Sequence, residues 1–143
     1  MRTAFTLQRM FINERRSNGE KNLPAWLTCH DVLEMATIEG ARVAHLDHKV
    51  GSLTPGKEAD IILLRTDDIN VFPLNNAPGS VVTLMDTSNV DTVLVAGKIM
   101  KWKGNLMGVD LKRLRRLADR ARDGILGRAG YRPNLLNTCC PRS

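Results

Sequence analysis

Apolar residues at Met1, Ala4, Phe5, Leu7, Met10, Phe11 and Ile12 recur with the spacing of a helix that buries a broad face. No Ser, Thr, Asp or Asn precedes them as a cap, so the pattern reads as an element entered partway. Arg15 to Asn22 is polar, with Ser17-Asn18-Gly19 as its turn. Leu23-Pro24-Ala25-Trp26-Leu27 then leads into a second helix. Thr28 and, three residues on, Asp31 have the spacing of a capping box, in which the Thr oxygen meets a free amide and the carboxylate reaches back. Val32, Leu33, Ala36, Gly40, Val43 and Ala44 fall on one stripe, and the helix is expected to end near Leu46 before Asp47-His48-Lys49 turns the chain. Gly40 costs about 1 kcal/mol against Ala inside a helix, so close packing against another backbone is expected there.

From Val50 the period changes. In Val-Gly-Ser-Leu-Thr-Pro-Gly-Lys-Glu-Ala-Asp, Pro55 presets the φ of the first central residue of a tight turn. Gly56 supplies the positive φ that a type II turn needs at the second. Ile61-Ile62-Leu63-Leu64 follows without alternation, the pattern of a strand covered on both faces. Burying four such side chains contributes roughly 6–12 kcal/mol, so the covering layers are integral to the fold. Val71-Phe72-Pro73-Leu74 reads as extended, with Pro73 excluding a central strand position. Val81 to Met85 has β-branched residues that favour a strand, yet Pro78 stands where a short helix would start. Val90–Val95 and Lys98–Trp102 form a hairpin about Ala96-Gly97, and Gly104-Asn105 marks the next reversal. Asp110 caps a last helix that carries Leu111, Leu114, Leu117, Ala118, Ala121 and Ile125 on one face. Beyond Gly127 the periodicity is lost, as in a flexible tail.

Three of these stretches together resemble one family. Gly51-Ser52-Leu53-x-Pro55-Gly56-Lys57-x-Ala59-Asp60 and its four aliphatics are similar to the segment in which amidohydrolase-superfamily enzymes leave their barrel and enter a small β-sandwich. Upstream, Met35-Ala36-Thr37-Ile38-Glu39-Gly40-Ala41-Arg42 resembles the family's "MAT-x-x-GA" helix. Downstream, Val90-Asp91-Thr92-Val93-Leu94-Val95-Ala96-Gly97-Lys98 resembles its "VDTVxVNGK" hairpin. The resemblance runs from about Met1 to about Ile125 and is nearest to the cytosine/adenosine-deaminase-like and chlorohydrolase-like branch. It implies a helix over Val81–Met85, and it departs at Ala96, where the family has Asn. Asn tolerates left-handed turn geometry better than Ala, so a looser turn is expected.

The implied fold is α/β, with terminal helices of a (β/α)8 TIM-like barrel, part of a composite β-sandwich, and a C-terminal helix. The expected division is residues 1–47 for the helical end of the barrel, 48–109 for the sandwich segment, 110–126 for the last helix and 127–143 for the tail. A (β/α)8 barrel alone takes about 250 residues. At 143 residues the chain is expected to be only the C-terminal part.

The family's chemistry is hydrolysis of C–N or related bonds by water activated on a barrel-mouth zinc or iron. It uses an His-x-His pair, two further histidines, a Glu acid/base and an Asp. None of those motifs occurs here, and by the family's order the metal-binding Asp would lie before Met1. The histidines are His30, His45 and His48. About 1.5 Å of helix per residue puts His30 some 20 Å from His45, and His45-x-x-His48 crosses a helix end with no third ligand nearby. No catalytic, cofactor-binding or metal residue is therefore assigned. Zinc or iron is expected in the complete enzyme and none on this chain, which alone is expected to be inactive.

Composition changes the picture in two places. The net charge is +6, but residues 1–100 carry 10 Lys/Arg against 12 Asp/Glu while residues 101–143 carry 11 against 3. The basic character is local to the last helix and tail, where a solvated face on a docked helix is the reading, since no zinc finger, RNP-type aromatic motif or helix-turn-helix supports nucleic-acid binding. Cys29, Cys139 and Cys140 fit no disulfide framework or zinc spacing, and a reducing cytoplasmic setting is the default. No apolar run approaches the ~20 residues of a membrane span. The amphipathic first stretch, with Arg2 and Arg9 and no acid before Glu14, also fits a mitochondrial presequence.

The function expected is thus the C-terminal segment of a metal-dependent amidohydrolase, a deaminase of an aminated heterocycle, whose partner is the missing barrel in the same or a separate chain. The complete enzyme is expected to be a homo-oligomer. The alternatives are a non-catalytic complementing subunit or truncated gene product, and a small basic nucleic-acid-binding module.

Overall fold

The structure, a computed structural model, describes residues 1–132. The chain divides into two compact units, Met1–Met107 and one that begins at Gly108. In the first, helix α1 spans Arg2–Ser17, five residues further than the apolar pattern alone reaches. It stops where Gly19, at φ +82°, takes the left-handed position past the C-cap. The amide of Gly19 donates to Arg16 O (3.0 Å) and that of Glu20 to Arg15 O (3.1 Å), the two bonds that close orphan carbonyls at a glycine-terminated helix.

Helix α2, Cys29–Glu34, starts at the expected capping box. The Asp31 amide donates to Thr28 Oγ1 (3.1 Å), while the Thr28 amide donates to Asp31 Oδ2 (2.7 Å) and its hydroxyl to the same oxygen (2.8 Å). These donors, the amide foremost, hold the Asp31 carboxyl below its usual range.

The single helix expected through Leu46 is broken into parts. After α2 comes a π-helical turn, Met35–Glu39, and then α3, Gly40–Val43. At the π turn the Thr37 hydroxyl donates to Leu33 O (2.7 Å), a back-bond that competes with the main-chain ladder and bends a helix. The widened turn also explains Gly40: a Cβ there would sit 3.2 Å from Met35 O, within the same helical run. The close approach to a second backbone belongs instead to Gly51, where a Cβ would lie 2.7 Å from Ala41 Cβ and 3.0 Å from Ile38 Cα. Past α3, His45 occupies the left-handed cap position at φ 57°, with Leu46 N–H bonded to Ala41 O (2.8 Å).

The Thr54–Lys57 turn closes as expected. Lys57 N–H donates to Thr54 O (3.2 Å) and Gly56 sits at φ +93°. The Lys57 ammonium then bonds the carbonyls of Asp47 and, at 3.2 Å, Val50. Strands β1 (Ile61–Leu64), β2 (Val90–Val95), β3 (Lys98–Trp102) and β4 (Asn105–Leu106) form one antiparallel sheet in that order.

Strand β1 is therefore an edge strand, and it is not covered on both faces: Ile62 is 60% and Leu63 50% exposed. The unalternating aliphatic run correctly marks a strand, but its cover does not come from the described residues. No second sheet faces this one among them.

The β2–β3 turn has Ala96 at φ 48° and Gly97 at φ 77°, both left-handed as a type I′ hairpin requires. It is not left loose. Ala96 N–H donates to Asp60 Oδ1 (2.7 Å) and Gly97 N–H to Ala59 O (3.0 Å), so the chain just before β1 clamps it.

Val81 to Thr83 lie in a helix, α4, Ala77–Thr83, as the family resemblance implies, whereas Leu84 is its C-cap and Met85 lies past its end. Asn76 caps it, Oδ1 accepting from Gly79 N–H (2.6 Å), and Pro78 sits in the first turn, where its missing amide costs nothing. Val71–Leu74 is a turn and bend rather than an extended segment; Val71 and Phe72 amides both donate to Asp68 O (2.9 Å).

Helices α1, α2 and α4 pack together, and the core is small: Ile12, Val32, Ala41, Val71 and Val82. Every one of these lies in the helices or a loop. From the sheet only Thr92 is buried.

In the second unit helix α5 runs Leu111–Arg128, two residues past the expected end. Asp110 Oδ1 accepts from Arg113 N–H (2.9 Å) at its start. Gly130, φ 61°, and the bond from Tyr131 N–H to Leu126 O (3.1 Å) finish it. Cys139, Cys140 and the expected tail from 133 on lie outside the described residues.

Candidate functional site

The three histidines do not converge. His30 is exposed in the first turn of α2, its Nδ1 3.7 Å from Glu34 Oε1 in an ordinary i, i+4 pair. His45 is spent on the left-handed cap of α3, and both it and His48 are exposed. Cys29 is a free, half-buried thiol beside Thr28. Among the described residues no group of three or more His, Cys, Asp or Glu could hold a metal ion. The described residues do not fit the metal that the resemblance implies for the complete enzyme.

What the fold does build is an open apolar groove of about 610 Å³ between the helices and the sheet edge. Leu33 and Ala36 line it from α2 and the π turn, Ile62 and Leu64 from β1, and Val81 and Met85 from α4 and its end. A second hollow of about 440 Å³ adjoins it where Gly51 packs on Ala41, also bounded by Ile62.

Two carboxylates border the larger groove, and both are engaged. Asp60 clamps the hairpin turn through Ala96 N–H. Asp86 caps the 3-10 turn Thr87–Asn89, accepting from the Ser88 hydroxyl (2.7 Å) and amide (2.8 Å). Those donors, the hydroxyl first, hold the Asp86 carboxyl below its usual range. A carboxylate fixed as an anion by local donors makes a poor general acid or base near neutral pH. The groove is built to receive apolar surface.

Beside it lies a polar cluster that no sequence pattern announces. Asn89 is fully buried and fully paired. Its Nδ2 donates to Asp68 Oδ2 (2.8 Å) and Asn70 Oδ1 (3.1 Å), and its Oδ1 accepts from Asn70 Nδ2 (2.9 Å) and Asp86 N–H (3.0 Å). Arg65 reaches the same Asp68 oxygen (3.1 Å) and Ser88 O (3.1 Å). The cluster fixes the 65–71 loop to the start of β2 and, through Asn70 Nδ2 on Leu84 O (3.2 Å), to the end of α4. The Asn89 bonds to the loop cross about twenty residues, which is why periodicity is blind to them.

Packed helices, a turn onto an edge strand and a clamped hairpin make a small mixed α/β segment. The amidohydrolase family profile matches residues 1–100, and the chain belongs to that family. Among its relatives, the 5-methylthioadenosine/S-adenosylhomocysteine deaminase of Desulfitobacterium hafniense is 38% identical over 107 residues, 75% of this chain and 24% of that protein. The 5'-deoxyadenosine deaminase of Methanobrevibacter smithii is 35% identical over 99 residues, 68% of this chain and 23% of that protein.

In fold the chain is similar to an adenosine deaminase from Xanthomonas campestris with bound zinc. The TM-score is 0.69 at 23% identity, over 87% of this chain and 28% of that one. It is also similar to a zinc-complexed atrazine chlorohydrolase from Arthrobacter aurescens (TM-score 0.61, 22% identity, 66% and 21% covered). The chain thus spans about a quarter of the length of the curated relatives it matches. No helix of the described residues is long and apolar enough to cross a membrane.

Proposed function

We propose that this chain is the C-terminal segment of a metal-dependent amidohydrolase that deaminates a purine nucleoside of the 5'-deoxyadenosine or thioether-nucleoside type. In this reading the catalytic metal and its ligands stand on barrel strands outside the chain. The zinc carried by similar solved enzymes makes zinc the metal of choice. The observation that carries the reading is the uncovered groove and edge strand, built to be closed by a body the described residues do not contain. The share of the relatives' length that is matched supports it. Residues 1–47 would close the barrel, 48–109 would form part of the composite sandwich, and 110–126 would dock as a helix.

The test is complementation. The chain is co-expressed with the unmatched three quarters of the Desulfitobacterium hafniense deaminase, loaded with zinc, and assayed for ammonia release from 5-methylthioadenosine, S-adenosylhomocysteine and 5'-deoxyadenosine. Zinc-dependent turnover with both parts and none with either alone is expected. Turnover by this chain alone, or none by the pair under conditions where the intact relative is active, would defeat the reading.

A further inference from the structure

Among the asparagines of the sequence, Asn18 alone is followed by glycine. The pair closes α1: Asn18 is the C-cap residue at φ −80° and ψ 6°, and Gly19 follows it at φ 82°. Both are exposed, and the space about Gly19 is open, since a Cβ there would meet nothing within 4 Å. Other asparagine side chains are tied into the fold. Asn76 caps α4, and Asn70 and Asn89 bond each other.

An Asn-Gly pair carries its own electrophile and nucleophile. The Gly19 amide nitrogen, once it loses its proton, attacks Asn18 Cγ; the N–Cγ bond forms, the Cγ–Nδ2 bond breaks, and Nδ2 takes up a proton and leaves as ammonia. Water then opens the five-membered imide at either carbonyl, giving Asp or isoaspartate. Nothing is oxidised or reduced, and water is the only co-reactant. A side chain on the following residue would crowd the attack, and glycine has none.

The helix end sets the pace. The Gly19 amide is donated to Arg16 O (3.0 Å), and the Glu20 amide to Arg15 O (3.1 Å). Arg15 also pairs with Glu20 across the same turn (2.8 Å). For the attack, the Gly19 amide must leave Arg16 O and Asn18 must rotate about ψ until its side chain lies over the nitrogen. Both movements need the last turn to unwind, and helix ends open at a free-energy cost well below that of the whole fold.

We propose that Asn18 is a site of spontaneous deamidation in the folded chain, gated by fraying of the C-terminal end of α1. The product places a carboxylate where the helix dipole disfavours one, and the isoaspartyl form lengthens the main chain inside the two closing bonds. Every residue concerned lies in the unit Met1–Met107. Nucleophile and electrophile are chain neighbours, so the inference needs no free docking face and does not rest on the deaminase reading. It adds a single, stoichiometric release of ammonia per chain, which its failure to recur sets apart from turnover.

The full chain and a synthetic peptide of residues 15–21 are incubated at mildly alkaline pH, with and without denaturing urea. Digests are followed by mass spectrometry for the amide-to-acid mass change and for isoaspartate at 18. Isomerisation at Asp123-Gly124 leaves the mass unchanged and is told apart by that. Asn18 is expected to convert faster than any other asparagine of the folded chain, roughly three- to thirtyfold slower than in the peptide, and at the peptide's rate in urea. Asn18→Gln, whose attack would need a six-membered ring, should remove the product from this segment while circular dichroism keeps its helical signal. Earlier conversion of another asparagine, equal rates in folded chain and peptide, a rate that urea leaves unchanged, or an intact Asn18 once the peptide has fully converted would each overturn the inference.

Discussion

The start of α2 and strand β1 lie some thirty residues apart and are specified in opposite ways. At the helix start everything that decides the structure is local: Thr28 and Asp31 satisfy each other's amides over three residues, and the stripe behind them buries Val32 to 2% exposure. At β1 the residues declare a strand but not what covers it. The hydrogen-bonding needs of one edge are met by β2, while Ile62 and Leu63 stay open to solvent. Among the described residues the elements are closed by their own caps and turns, while burial is uneven. Each element can thus form with its own caps and turns while apolar side chains of β1 stay in water, where burial would still be favourable.

The largest contrast to be expected uses one residue type in both regions. Ile12 is 2% exposed on α1, and truncation there removes buried methylenes and leaves a cavity, so Ile12→Ala should cost about 2–5 kcal/mol. Ile62 is 60% exposed on β1, and Ile62→Ala should change the stability of the isolated chain by no more than about 0.5 kcal/mol. Chemical denaturation of the two variants side by side measures the difference. Similar losses would mean that β1 is covered in solution, by self-association through its open edge or otherwise, and the contrast would collapse.

The same contrast sets the limits of sequence reading. The capping box, the Pro55-Gly56 turn, the Ala96-Gly97 hairpin and the Asp110 cap were legible because each is closed by residues within a few positions of one another. The helix at Ala77–Thr83 was legible only through the family resemblance, since Val81 and Val82 by themselves favour a strand. The π turn was not legible: nothing in Met35–Glu39 signals that Thr37 turns its hydroxyl back to Leu33. The role of Gly40 was misassigned for the same reason. The polar cluster about Asn89 was invisible because its partners are distant in sequence, and the apolar groove because it is an absence of cover, which no pattern of hydrophobic positions records.

A middle-sized effect separates glycines that serve conformation from those that serve contact. Gly56 holds positive φ with open space around it, so Gly56→Ala should cost only the left-handed strain, about 1–2 kcal/mol. Gly51 holds φ +88° and is also pressed on Ala41 and Ile38, so Gly51→Ala adds overpacking of about 1–3 kcal/mol to the same strain. Denaturation midpoints should rank wild type above Gly56→Ala and Gly56→Ala above Gly51→Ala. If Gly51→Ala were the milder change, the packing of the Val50–Ser52 segment on the π turn would be wrong.

The smallest effect is a gain, and it tests how firmly the edge strand is tied to the hairpin beside it. Ala96 adopts φ 48° although its Cβ makes that conformation unfavourable, and Asn is the residue that bears it best after glycine. Asp60 offsets part of the strain by accepting the Ala96 amide at 2.7 Å, a bond that Asn would keep because it uses the backbone. Ala96→Asn should therefore stabilise the chain by roughly 0.5–1 kcal/mol. Asp60→Asn, which keeps an oxygen in place but removes the charge, should weaken the clamp and lower the denaturation midpoint slightly. Asn at 96 relieves the turn itself and Asp60 holds it from the β1 side, so the two changes share one site and their effects should not simply add. In a double-mutant cycle the gain from Ala96→Asn should be larger in the Asp60→Asn background, where the turn has lost its support. Strict additivity would show that the clamp contributes nothing to the left-handed turn, and that β1 is joined to the hairpin by its ladder alone.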